Sequence, residues 1–145
     1  MIIKEIQEEI IDEFAMFDDW VERYEYIIDI GKSLPLIETK NKIDLNLIRG
    51  CQSKVWLHAD FNDDIVLFTA DSDAILTKGI IALLLRVYSN QNPKDILDSD
   101  SLFIDEIGLK EHLSPTRANG LLSMIKQLKL YALAFQVKSN YHLKN

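Results

Sequence analysis

The sequence predicts an α+β domain in which helices pack against one side of a small antiparallel sheet. Three observations carry that reading. Val55, Leu57, Ala59 and Phe61 alternate with Lys54, His58 and Asp60, as a half-buried strand requires, with Trp56 the exception on the polar side. After the turn signal Asn62-Asp63-Asp64, the run Ile65 to Ala70 returns as a second strand and closes a hairpin. Helical periodicity fills the chain on both sides of this hairpin, with no repeat, linker or low-complexity stretch between. The 145 residues are enough for one stable core, so 1–145 reads as a single domain.

Taken in order, residues 3–16 place Ile3, Ile6, Ile10 and Phe14 on one side and Glu8, Glu9, Asp12 and Glu13 on the other, an amphipathic helix. Asp19, with Glu22 three residues on, caps a second helix whose stripe is Trp20, Tyr24, Ile27 and Ile28. Gly31 suits its C-terminal cap, and Leu34-Pro35 ends it. Residues 37–50 read as loop with a short strand near Ile43 to Ile48. Past the hairpin, Asp71-Ser72-Asp73 offers N-caps to a helix reaching about Ser89, apolar nearly all round and therefore central. Asn92-Pro93 starts a short helix, and residues 101–107 make another that Gly108 ends. Ser114-Pro115 opens a long final helix with Ala118, Leu121, Leu122, Ile125, Leu128, Ala132 and Phe135 inward.

Charge and composition narrow the function classes. Ten acidic side chains between Glu5 and Asp29 face only Lys4 and Arg23, so residues 1–30 carry −8 and the remainder about +1. That balance argues against nucleic acid as the partner, because phosphate binding needs a basic face. The acidic helices are either a solvated surface or a face that attracts a basic protein. The apolar run Gly79 to Leu85 is far too short to span a membrane, and the N-terminal residues show no signal-peptide pattern. A single cysteine forms no internal disulfide, which favours a reducing, cytoplasmic setting.

That cysteine, Cys51, is the first candidate for chemistry. It follows Gly50 at the mouth of the first strand, between Arg49 and Lys54, cations that favour a thiolate. Its parity matches Val55 and Leu57, however, and spacing alone favours a small buried hydrophobe over a reactive thiol. Arg117 is the second candidate. Three residues after the cap Ser114, its charge opposes the positive end of the helix dipole. Either it serves an anion at the helix start, or it pairs with a carboxylate such as Asp71 or Asp73. His58, His112 and His142 are isolated, so no metal site is expected from this chain alone. His58 and His112 are conceivable bases for the thiol, His58 on the wrong parity.

Three segments together resemble the SufE family, which includes CsdE: Gly50-Cys-Gln-Ser-Lys-Val-Trp56, Asp71-Ser-Asp-Ala74 with Lys78-Gly79, and His112-Leu-Ser-Pro-Thr-Arg-Ala-Asn-Gly-Leu121. The similarity runs from the Tyr24–Pro35 helix end to about Leu133. The resemblance implies an α+β fold like that of the IscU-type scaffold. It also implies a sulfur acceptor that takes persulfide sulfur from a PLP-dependent cysteine desulfurase of the SufS/CsdA kind onto Cys51. The acceptor would stimulate the desulfurase and deliver sulfur to Fe–S scaffold proteins, without a cofactor of its own. The alternative is a module that activates a desulfurase by binding alone, with Cys51 structural. By the same resemblance Gly50, Gln52, Ser72, Asp73, Arg117 and Asn119 support the thiol or dock the partner. Taken with the apolar parity of Cys51, this predicts a resting thiol turned into an apolar pocket near Trp56 and Ala74.

Overall fold

The protein, seen in a computed structural model, is described over residues 2–144, with side chains to Tyr141. In chain order come α1 (Ile3–Ala15), α2 (Trp20–Gly31), β1 (Val55–Asn62), β2 (Ile65–Ser72), α3 (Ile75–Tyr88), α4 (Pro93–Asp98), α5 (Leu102–Glu106) and α6 (Pro115–Lys144). The α+β expectation holds, with two antiparallel strands paired from Val55–Ser72 to Asn62–Ile65. Asp63 and Asp64 make the connection at φ 52° and 63°, the positive values that a tight primed hairpin turn demands.

The alternation seen in the sequence sets which face of the hairpin is covered. Val55, Leu57 and Ala59 from β1 join Val66, Phe68 and Ala70 from β2 in the core, where side chains of all six helices meet them. Helix α3 is the centre, with every residue from Gly79 to Leu85 buried. α6 closes the sheet face, its Tyr131 hydroxyl donating to the Leu57 carbonyl at 3.3 Å and Phe135 stacked on Phe61 at 5.0 Å.

Four details differ from the sequence reading. Gly31 does not cap α2; it is the last helical residue, buried where a Cβ would stand 3.0 Å from the Gly79 nitrogen. Gly79 in turn admits no side chain, because its Cβ would lie 2.2 Å from the Ile27 carbonyl oxygen. The two glycines let α2 and α3 cross in contact, so small size decides here and not turn geometry. Residues 43–48 form no strand. Asp44–Asn46 is a single 3-10 turn, and Asn46 spends its side-chain amide on the Asn41 carbonyl at 2.7 Å. Only an isolated bridge joins Leu47 to Trp56.

The third difference is at the start of α3, where β2 continues through Asp71 and Ser72 and the N-cap is Ala74 without a side-chain bond. The fourth is in α6, where Leu122 points outward and Met124 is buried in its place. The other caps match: Asp19 Oδ1 accepts from the Glu22 amide at 2.9 Å, and Asn92 Oδ1 from the Asp95 amide at 2.8 Å. The short α5 is followed by Gly108 at φ 74°. His142 lies outside the residues whose side chains are described.

Candidate functional site

Residues 49–54 form a short loop before β1, and its ends are tied. Ile48 donates to the Val55 carbonyl at 2.8 Å. Lys54 donates to Asp73 Oδ1 at 3.0 Å, while the Asp73 amide returns a bond to the Lys54 carbonyl at 3.3 Å. Asp73 therefore braces the loop across the hairpin and does not cap α3. Ser72 shapes the same corner, its hydroxyl accepting from the Ala74 amide at 3.3 Å. Asp71 lies beyond, held by Lys42 at 2.8 Å and Lys78 at 3.5 Å.

Gly50 lies in the loop at φ 91°, a region that L side chains avoid, and a Cβ there would stand 2.6 Å from the Ser123 hydroxyl. This backbone lays Cys51 against the start of α6. The thiol is half-buried and donates to the Gly120 carbonyl at 3.6 Å. A crevice of about 10 Å³, space for roughly one water, opens beside it. Gln52 and Ser53 from the loop, Thr77 and Ile80 from α3, and Thr116, Arg117, Gly120 and Met124 from α6 line it.

The thiol is thus turned inward, as expected, but not toward Trp56 and Ala74, neither of which lines the crevice. Trp56 points to the other face of the hairpin, under the Lys42 ammonium at 4.7 Å. A strand continued backwards from Val55 would have kept Cys51 on the sheet's inner face. The left-handed turn at Gly50 redirects it to the gap between α3 and α6.

Burial is what sets the resting chemistry of Cys51, pushing its pKa above the ordinary thiol value. The flanking cations Arg49 and Lys54 do not offset that. Arg117 is exposed, and its guanidinium makes no ion pair or hydrogen bond among the described residues. The carboxylates that could have neutralised it are engaged, Asp71 by two lysines and Asp73 by the loop amide. An unpaired cation therefore stands at the mouth of the cysteine crevice, on a helix start where it is electrostatically disfavoured.

The remaining site candidates divide clearly. Gln52 lines the crevice; Asn119 is exposed and uses its carbonyl for the Ser123 hydroxyl at 3.1 Å. Neither histidine with a described side chain lines the crevice. His58 sits against Asp60 at 3.2 Å, and His112 stacks on Trp20 with Nδ1 donating to the Gly108 carbonyl at 2.9 Å. No Cys–His pair is formed among the described residues. Among the described residues no group of three or more His, Cys, Asp or Glu side chains could hold a metal ion. Thr77, Ile80, Met124 and Ser123 were missed by sequence reasoning, because helical apolar or hydroxyl residues carry no signal of which loop they will meet.

Fold and site together define a helix-covered hairpin that presents one shielded thiol beside an unpaired arginine. Residues 8–132 match the family model described as SufE, Fe–S metabolism associated domain. The chain is 42% identical over 127 residues to an uncharacterized SufE-like protein of Rhizobium meliloti (strain 1021), covering 84% of this chain and 91% of that one. It is 40% identical over 128 residues to one of Rhizobium etli, covering 84% and 86%. A third, of Synechocystis sp., is 36% identical over 132 residues, covering 91% and 83%. The chain belongs to the SufE family. The solution structure of a hypothetical protein from Thermus thermophilus shares the fold, with a TM-score of 0.74 at 19% identity over 89% of this chain and 94% of that one. No helix of the described residues is long and apolar enough to cross a membrane.

Proposed function

We propose that this protein is a sulfur acceptor in Fe–S metabolism, a partner of a cysteine desulfurase and not a free-standing enzyme. Cys51 thiolate attacks the outer sulfur of the desulfurase's cysteine persulfide. A new S–S bond forms at Cys51 Sγ, and the bond between the donor's two sulfurs breaks. Its electron pair leaves on the donor cysteine as a thiolate. The proton lost by Cys51 balances the one the donor thiolate regains, and no external oxidant or reductant enters. The same exchange, run with a scaffold-protein thiolate as attacker, passes the sulfur onward.

The observation that supports this reading best is the pairing of a half-buried thiol with the unpaired Arg117 on one crevice. A buried thiol stays protonated and resists oxidation at rest. Arg117 is then free to meet the negative charge that arrives with a persulfide or departs with a thiolate. Gly50 and Asp73 hold the loop that must release Cys51 when the donor docks, and Gln52, at the loop surface, meets the partner. Ser72 and Asn119 act on this site indirectly, one through the Asp73 corner and the other through Ser123.

The test is an intact-mass measurement after incubation with a cysteine desulfurase and cysteine. The wild-type chain gains sulfur that a reductant removes; Cys51→Ser gains none. A Cys51→Ser chain that still acquires reductant-labile sulfur refutes the assignment.

A further inference from the structure

A concavity far larger than the Cys51 crevice lies elsewhere on the fold and shares no residue with it. It is an open groove of about 560 Å³ between α1, α4 and α5. Ile3 and Phe103, both buried, and the half-buried Ile11 make its apolar floor, while Ile2 and Leu102 stand at its edges 61% and 59% exposed. Exposed aliphatic side chains flanking an apolar floor are costly in water unless something covers them.

The rim is acidic. Five carboxylates, of Glu8, Asp95, Asp98, Asp100 and Glu106, line the groove against the single cation Lys4. Asp95, Asp98 and Asp100 are partly occupied, by Asn92, Lys94 and the Leu102 amide. Glu8 and Glu106 have no hydrogen bond or ion pair among the described residues. Along α1 the groove runs from Ile3 to Ile11, about 12 Å at 1.5 Å per residue, the length of roughly two helical turns.

We propose that this groove docks a basic amphipathic segment of a partner protein, one carrying leucine-like side chains at helical spacing and lysine or arginine between them. The apolar side chains seat on Ile3, Ile11 and Phe103, and the cations meet Glu8 and Glu106 on the two walls. An anionic lipid surface or a nucleic acid meets the wrong charge here. The acidic first helix thereby gains a use beyond solvation. The proposal stands independently of sulfur transfer, since neither Cys51 nor Arg117 takes part.

The test titrates the full chain, isotopically labelled for NMR, with a synthetic two-heptad peptide of leucine and lysine. The expected shifts cluster on the groove residues. Glu8→Lys/Glu106→Lys weakens binding about tenfold or more, whereas Asp12→Lys/Glu25→Lys, the same charge change on exposed positions outside the groove, weakens it far less. A peptide with its leucines replaced by lysine loses the groove-specific shifts. Equal weakening by both charge-reversed variants, equal binding of the leucine-free peptide, or shifts mapping elsewhere overturns the proposal. So does concentration-dependent self-association through the same residues without peptide, which assigns the groove to a second copy.

Discussion

Replacing Gly120 by alanine separates stability from sulfur acceptance, because the same added methyl acts on both. Gly120 lies inside α6, where glycine costs a helix about 0.8–1 kcal/mol relative to alanine. The added Cβ would stand 3.4 Å from Cys51 Sγ, 3.6 Å from its Cα and 3.8 Å from its Cβ, all ordinary contacts. Nothing needs to shift in the resting state, and the Gly120 carbonyl that accepts from the thiol is backbone and stays. Gly120→Ala is therefore expected to stabilise the chain by roughly 0.5–1 kcal/mol, raising the unfolding midpoint by about 2–4 °C. The methyl also takes the space beside Sγ in a crevice of only about 10 Å³. A thiol that gains an outer sulfur needs that space. Sulfur uptake, followed by mass against time with desulfurase and cysteine, should fall at least several-fold while calorimetry shows no loss of stability. Normal uptake in a stabilised variant would refute the role given to the crevice. A destabilised variant would show that the loop is packed more tightly against α6 than these distances state.

Three further substitutions probe the loop, the arginine and the helix layer. Gly50→Ala forces a side chain into left-handed backbone against Ser123. It should cost roughly 1–2 kcal/mol from conformation alone, with more from the clash, and Ser123→Ala should recover only the clash part in a double-mutant unfolding cycle. Arg117→Ala should slow sulfur uptake yet leave the pH profile of Cys51 alkylation unchanged. Burial, not Arg117, raises that thiol's pKa, so labelling of both proteins should reach half-maximal rate above the pH of a free cysteine. A profile that moves upward in Arg117→Ala would mean the guanidinium already stabilises the resting thiolate. Outside the crevice lining, Arg86 bonds Glu13 and, at 3.0 Å, Glu9, and its hydrogen bonds hold the Glu13 carboxyl below the usual range. A depressed carboxyl stabilises the folded state above its unfolded pKa and loses that as pH falls through the folded value. Arg86→Met should thus cost about 1–2 kcal/mol near neutrality, and the difference from wild type should vanish in acid below the ordinary glutamate range. A difference that persists there would assign it to packing of the Arg86 stem.

Much of this fold was legible because local chemistry and tertiary demand agree. Asp19 and Asn92 cap where their side chains can reach the amide, and the period-two alternation of β1 matches its buried face. Where the reading failed, a residue had two local uses and a distant partner chose between them. Asp73 has the chemistry of a helix cap, yet the Lys54 amide across the hairpin claims it. Gly31 has the form of a helix terminator, yet Gly79 on another helix is what requires its smallness. The site shows the same limit. Motifs marked Cys51 and Arg117, but periodicity placed the thiol on the sheet face, since the effect of one left-handed glycine on the following residue has no signature in spacing. Thr77, Ile80 and Met124 became site residues only when α3 and α6 closed around the loop.

The central claim is that sulfur passes through Cys51, and a single-turnover experiment tests it most directly. A desulfurase loaded with persulfide and freed of excess cysteine is mixed with this protein, quenched by alkylation and digested. The account predicts that the sulfur leaves the desulfurase and appears on the peptide bearing Cys51, with no loss from the desulfurase when Cys51→Ser is used. Stimulation of desulfurase turnover by Cys51→Ser equal to that by the wild type, with no sulfur on the Cys51 peptide, would contradict it and leave binding alone as the activity.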